Sequence, residues 1–256
     1  MKRIVLKVGS AVLTEHNRIA QDRMQNLVDF IARLKTRYEV ILVSSGAVAA
    51  GYTELKIDKK VLANKQALAS IGQPLLMHRY KKKFEKHGIL PAQILVTAAN
   101  FNTDFQVEKV RDTIETLLRN GVLPVINEND ATAIEELVLG DNDQLSAYAA
   151  VHFDAQMLVI LSDIDAYYDK DPHCHDDACV RKVVHAIPDV DLERDVTPHG
   201  SFATGGIVTK LKAAHYMLSH GRSAFLASGF DLRDAEAFLL RGEHDGGTLF
   251  VPEEKV

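Results

Sequence analysis

Two lysines stand in settings suited to holding a phosphoryl group. Lys7 interrupts an apolar, β-branched run at residues 4–8, just before the turn Gly9-Ser10. Its ammonium can reach over that turn while amides near Gly9 face the same anion; the pattern fits equally well a strand-end lysine snorkelling to solvent. Lys210 closes the string Thr204-Gly205-Gly206-Ile207-Val208-Thr209-Lys210, where two glycines open an amphipathic helix running through Leu211, Ala214 and Leu218. A Gly-rich loop at a helix N-terminus offers free amides and a favourable dipole to phosphate. A lone Gly-Gly is weak evidence and is more often only a turn.

Carboxylates and amides form a third feature. Gly140-Asp141-Asn142-Asp143 precedes a small-residue helix at residues 145–150. Such groups can grip an ammonium, orient lysines or cap the helix. Capping explains Asp141 or Asn142; it does not explain three in a row. Asp130, after a buried strand, reads either as an Asx-turn or as a contact to an α-amino group. Phosphoryl transfer needs positive charge and oriented donors around the phosphates, and little covalent chemistry from the protein. The P-loop string and the protein-kinase signatures are both absent, so the machinery is of another type. His173, Cys174, His175 and Cys179 are metal-ligand residue types, but their spacing matches no standard zinc motif. They read as a polar surface loop, with a zinc site as the alternative, and no metal-binding residue is assigned.

The elements that must position these groups alternate regularly. Strands are expected at residues 4–8, 40–44, 92–96 and 122–126, and the apolar run 157–161 is strand-sized. Between them, Met24, Leu27, Val28, Ile31 and Leu34 recur at helical spacing, as do Val107, Val110, Ile114, Leu117 and Leu118. Residues 61–86 read as a helix interrupted around Gly72 and Pro74. This alternation predicts a mainly parallel sheet covered by helices on both faces, with ligands at the carboxyl ends of the strands. Lys7 to Ser10, Ser44-Ser45-Gly46, Asn127-Glu128-Asn129-Asp130 and Ser162-Asp163 each follow a strand, so four segments are expected to converge on one sheet edge.

Composition sets bounds. With 256 residues, 46% hydrophobic and 25% charged, the chain can bury a large core as one α/β domain or two intimate lobes. Thirty basic against 35 acidic residues give a net charge of -5, which disfavours nucleic-acid binding driven by bulk charge. Apolar runs are too short for a membrane span, and no signal peptide follows Met1. Two cysteines suit a reducing compartment, and a cytoplasmic location is expected.

Taken in order, five strings resemble the amino acid kinase family: Leu6-Lys7-Val8-Gly9-Ser10, Val43-Ser44-Ser45-Gly46-Ala47 continuing to Gly51, Pro124-Val125-Ile126-Asn127-Glu128-Asn129-Asp130, Gly140-Asp141-Asn142-Asp143, and the Thr204 to Lys210 string. The resemblance runs nearly from end to end. It implies a three-layer α/β/α sandwich around a mainly parallel sheet, as a single kinase domain with an amino-acid lobe over residues 1–150 and an ATP lobe over 151–256. It also implies ATP-dependent phosphorylation of the γ-carboxylate of L-glutamate, the first step of proline biosynthesis, with Mg²⁺ bridging the ATP phosphates. Ser45, Asp130 and Asn142 match the family's glutamate-binding positions. Lys7 and Lys210 match the lysines that stabilise the transferring phosphoryl group, and Asp143 the acid that holds them. Nucleotide-binding positions are matched by Lys7, Ser162, Asp163, Thr204, Gly205, Gly206, Ile207, Val208, Thr209 and Lys210.

The resemblance further implies proline as a feedback inhibitor and a homo-oligomer. Many members carry a carboxy-terminal PUA domain associated with RNA; it is expected to be missing here, and RNA binding is not predicted. Ala203 stands where a glycine often precedes the Thr-Gly-Gly string. Rival readings are a kinase of the same fold acting on aspartate, N-acetylglutamate, carbamate or a nucleoside monophosphate, and a non-catalytic amino-acid sensor. A free α-ammonium needs acceptors such as Asp130 and Asn142, whereas an acetylated substrate would strand a buried charge. Retention of both lysines argues against a sensor.

Overall fold

The computed structural model describes residues 1–132, 142–172, 174–193 and 206–253. Strand β1 (Lys2–Val8) ends at Gly9, followed by the one-turn helix α1 (Ser10–Leu13) and a small hairpin of β2 (Thr14–Glu15) and β3 (Arg18–Ile19). Helix α2 (Gln21–Leu34), β4 (Tyr38–Ser44), α3 (Ala47–Glu54), α4 (Leu62–Phe84), β5 (Pro91–Val96), α5 (Asp104–Arg119) and β6 (Leu123–Glu128) come next. Then follow α6 (Asn142–His152), β7 (Met157–Ser162), β8 (Val183–Val184), α7 (Asp189–Leu192), α8 (Ile207–Ser219), β9 (Ser223–Ser228), α9 (Arg233–Glu236) and β10 (Thr248–Phe250).

Eight strands form one sheet in the order β5-β6-β4-β1-β7-β9-β10-β8. Every neighbouring pair is parallel except β9 with β10. From β1 the chain passes to β4, then to the edge strand β5 and back to β6 between them, and finally crosses to β7 on the other flank of β1. That reversal leaves a crevice at the carboxyl ends of β1, β4 and β7, where open α/β sheets bind ligands.

Alternation along β1 divides the core. Ile4, Leu6 and Val8 face a layer containing Met24, Leu27 and Ile31 of α2 and Leu76 and Tyr80 of α4. Val5 faces the opposite layer, with Ile114 of α5, Leu145 of α6 and Leu211 of α8. By the two-residue period of a strand, Lys7 shares the face of Val5 and lies under α6 and α8.

One expectation is corrected. Helix α4 runs without a break through Gly72 and Pro74. A Cβ on Gly72 would come within 1.8 Å of the Ala47 carbonyl oxygen, and one on Gly51 within 1.9 Å of the Leu68 carbonyl oxygen. The glycines thus serve a close α3–α4 crossing rather than a break. Pro74 costs the helix one hydrogen bond, and the carbonyl it leaves belongs to Ser70, on the solvent side. Strands β8, β9 and β10 were not anticipated.

Candidate active site

Lys7 is brought to its place by two parallel ladders. It pairs with Val43 of β4 on one side and Ile160 of β7 on the other, so its backbone cannot drift. The Gly9 amide donates to the Leu161 carbonyl at 2.9 Å, which folds the turn back over the strand end. A Cβ at Gly9 would lie 3.8 Å from Lys7 Nζ, so the ammonium lies beside the turn and not out in solvent. Lys7 is only 2% exposed.

Burying an ammonium is tolerable only with a partner. That partner is Asp143, in the first turn of α6, which is fully buried. One carboxylate oxygen pairs with Lys7 Nζ, and the other lies 3.1 Å from Lys210 Nζ. Thr209 Oγ1 donates to that second oxygen at 2.8 Å. Lys210 itself is 3% exposed, in the first turn of α8. Burial alone would push the Asp143 carboxyl up. The two ammoniums and the Thr209 hydroxyl outweigh it and hold the group well below the usual carboxylate range. Both cations thus converge on one buried carboxylate at the crevice.

Next to it lies a chain of amides. Asn142 Nδ2 donates to Ser45 Oγ at 2.8 Å, to the Ser44 carbonyl at 3.1 Å and to Asn127 Oδ1 at 3.1 Å. Ser45 and Asn142 are therefore in direct contact although 97 residues apart. The turn that presents Ser45 needs Gly46, whose φ of 106° an L side chain rarely adopts. Asp130 makes no bond to this pair; it lines an adjoining pocket of about 210 Å³ together with Gln73, Gln93 and Glu128. Burial raises the Asp130 carboxyl above its ordinary value, and nearby Lys65 offsets part of the rise.

On the other flank, Ser162 and Asp163 close β7. Ser162 Oγ donates to Asp163 Oδ1 at 2.8 Å and accepts from the Ile164 amide at 3.3 Å, while the Ser162 carbonyl takes the Gly229 amide at 2.6 Å. Gly206 caps α8, and its carbonyl lies 3.0 Å from Thr209 Oγ1 as the alternative acceptor to Asp143 for the one hydroxyl proton; Ile207 and Val208 complete the first turn. Thr204, Gly205 and Asp141 lie outside the described residues.

Sequence reasoning places Ser44 and Asn127 only within the converging segments, with no role of their own, and does not single out Gln73. Asn127 is 3% exposed and Gln73 8%; Ser44 Oγ meets the buried Tyr80 hydroxyl at 2.8 Å. The signal for Gln73 was its register, since it shares a helix face with buried Ala69, Leu76 and Tyr80. The loop with Cys174 and Cys179 stands apart. Both thiols are free and exposed, reaching Asp171 Oδ2 and the Asp177 carbonyl at 3.6 Å. Among the described residues no group of three or more potential metal ligands is gathered, and His173 lies outside them. No helix among them is long and apolar enough to cross a membrane.

A profile of the amino acid kinase family matches residues 2–228. A protein from Leishmania donovani named glutamate 5-kinase is 55% identical over 98% of this chain and 95% of its own length. One of the same name from Wolinella succinogenes is 56% identical, covering 98% of each. Among solved structures, carbamate kinase from Giardia lamblia bound to AMP-PNP superposes with a TM-score of 0.69 at 15% identity, covering 98% of this chain and 99% of that one. At that identity the likeness speaks for the fold alone.

Proposed function

The chain belongs to the amino acid kinase family, and from that premise we propose that it transfers the γ-phosphoryl group of ATP to the side-chain carboxylate of L-glutamate, yielding L-glutamyl 5-phosphate and ADP. This is the opening step of proline biosynthesis. The observation that carries the reading is the buried pairing of Lys7 and Lys210 on Asp143, one residue from Asn142 and its bond to Ser45.

Each group then has a task. A γ-carboxylate is already ionised near neutral pH, so no general base is required. The barrier lies in bringing two anions together. The two lysines meet that need, acting on the phosphoryl oxygens as charge moves from nucleotide to acceptor. Asp143 fixes both ammoniums in advance, so little reorganisation accompanies the transfer. Ser45, Asn142 and Asp130 supply acceptors for the α-ammonium and hold the acceptor carboxylate in line. Ser162, Asp163 and the first turn of α8 form the nucleotide side, which puts glutamate over residues 1–150 and ATP over 151–256.

Mg²⁺ fits as an ion carried by the nucleotide. Asp143 is taken up by two lysines, and no dedicated ligand cluster is gathered among the described residues. When bound it would supply positive charge that screens the phosphates. Proline feedback, a cytoplasmic setting and a homo-oligomer belong to the same reading; exposed Leu55, Val61, Leu62 and Ile71 supply apolar surface for self-association, which sedimentation would test.

The deciding experiment is an ADP-release assay offering glutamate, N-acetylglutamate, aspartate and UMP as acceptors. Glutamate is expected to be strongly preferred. A clear preference for any other acceptor overturns the reading.

A further inference from the structure

Gln73 lies in the middle of α4, touches none of the lysine cluster, and is nevertheless a buried carboxamide with both ends engaged. Its Oε1 accepts from Asn127 Nδ2 at 2.9 Å, and its Nε2 donates to Gln93 Oε1 at 3.0 Å. Asn127 Oδ1 in turn accepts from the Glu128 amide at 2.9 Å and from Asn142 Nδ2 at 3.1 Å. Four carboxamides from α4, β5, β6 and α6 thus form one continuous relay.

Carboxamide oxygen and nitrogen are interchangeable by a half-turn, so something must set the direction of such a relay. Two backbone groups do. The Glu128 N–H can only donate, which forces Asn127 Oδ1 toward it and Asn127 Nδ2 toward Gln73. The Ser44 carbonyl can only accept, which forces Asn142 Nδ2 inward and leaves Asn142 Oδ1 as the atom for an ammonium. Every link agrees with both constraints.

We infer that Gln73 is a positioning residue for glutamate: by accepting from Asn127 Nδ2 it locks the Asn127 carboxamide, and through it holds Asn142 with its oxygen turned to the α-ammonium of the substrate. This deepens the proposed function and rests on it. Without an acceptor at position 73, the Asn127 amide would be buried and unsatisfied, a state that drives rotation or displacement. A half-turn would set its nitrogen against the Glu128 N–H and the Asn142 NH₂, donor facing donor. Asn142 then loses one of its three anchors. Asp143, held by its own ion pairs, stays in place.

The test compares Gln73→Met, which keeps the length and removes the acceptor, with Gln73→Glu, which restores an acceptor for Asn127. Gln73→Met is expected to raise the KM for glutamate at least about tenfold, with kcat at saturation within about threefold and the KM for ATP within about twofold. Gln73→Glu is expected to hold the glutamate KM within about threefold of wild type. A Gln73→Met variant with unchanged glutamate KM, glutamate and ATP values rising together, or no rescue by Gln73→Glu would each overturn the inference. Exchange of the Asn127 side-chain amide protons, followed by NMR without substrate, separates this idea from the choice of substrate. Protection is expected in wild type and Gln73→Glu and loss in Gln73→Met. Equal protection in all three overturns the relay, whereas a wild-type enzyme that ignores glutamate counts against the proposed function and takes the substrate assignment of Gln73 with it.

Discussion

The two ends of β1 are tied to the two ends of α6, and they are tied in opposite ways. At the carboxyl end of the strand, Lys7 reaches Asp143 in the first turn of the helix, where a second cation, Lys210, joins it. At the amino end, Arg3 donates at 2.7 Å to the Phe153 carbonyl just past the helix C-terminus and pairs with Glu39 at 2.9 Å and with Glu115. At one end two cations converge on a single carboxylate; at the other two carboxylates converge on a single cation. Arg3 completes its bonding within the protein and suits the negative pole of the helix. Lys7 and Lys210 instead bring two ammoniums together at the crevice. The lesson is that one strand and one helix can carry both a clamp centred on a cation and a cluster centred on an anion.

The comparison can be broken most sharply at Asp143. Asp143→Ala would strip two buried ammoniums of their shared carboxylate, and a loss of about 3–5 kcal/mol in urea unfolding is expected, as for other buried pairs stripped of one partner. A loss under about 1 kcal/mol would show that the lysines simply swing to water. Lys7→Ala and Lys210→Ala act on the other side of the ledger. Each leaves Asp143 with one cation, so the fold should survive by circular dichroism while turnover falls roughly 10²–10³-fold, about 2.7–4 kcal/mol of lost charge stabilisation. Near-normal turnover in either variant would remove the cluster from the chemistry.

Arg3→Ala should show the reverse pattern: stability lower by about 1–3 kcal/mol, because a guanidinium bonded to charged partners is lost, with kcat and both KM values unchanged. A fall in kcat would mean that the two ends are not independent. Acid titration sharpens the same contrast. Asp143 has a folded value depressed below its unfolded one, so the stability it contributes is fully present above the ordinary carboxylate value and is lost only as pH falls through the depressed value. The advantage of wild type over Asp143→Asn should therefore persist below about pH 4 in pH-dependent unfolding curves. The smallest effect is expected at the exposed thiols: Cys174→Ser with Cys179→Ser should leave turnover within about twofold, and a large loss would give that loop a role the geometry does not provide.

Much of this was open to reading from residue order, for definite reasons. Lys7 was conspicuous because a charge ends an otherwise apolar strand. Asp143 and Asn142 were conspicuous because polar groups crowd before an apolar helix. The parallel sheet followed from strands that are apolar throughout and separated by helix-length segments. What escaped was decided by contacts far along the chain. Ser223–Ser228 is short and rich in Ala and Ser, and becomes a strand by pairing with β7; Thr248–Phe250 has too few residues to show any period. Arg3 and Lys2 look alike in sequence, and only partners 36 and 112 residues away distinguish the clamp. Gly72 and Pro74 carried the vocabulary of a helix break, and a neighbouring backbone gave the glycine another purpose.

That crossing of α3 and α4 also limits which mutations the lineage can explore. Where Gly51 and Gly72 meet, the helices are separated by little more than hydrogen atoms, so even the smallest side chain would wedge them apart by over an ångström. Gln73 is the next residue. Displacement on that scale exceeds the tolerance of a hydrogen bond, so its carboxamide would lose Asn127. Drift at these two glycines is therefore expected to weaken the capture of substrate along with the helix packing itself.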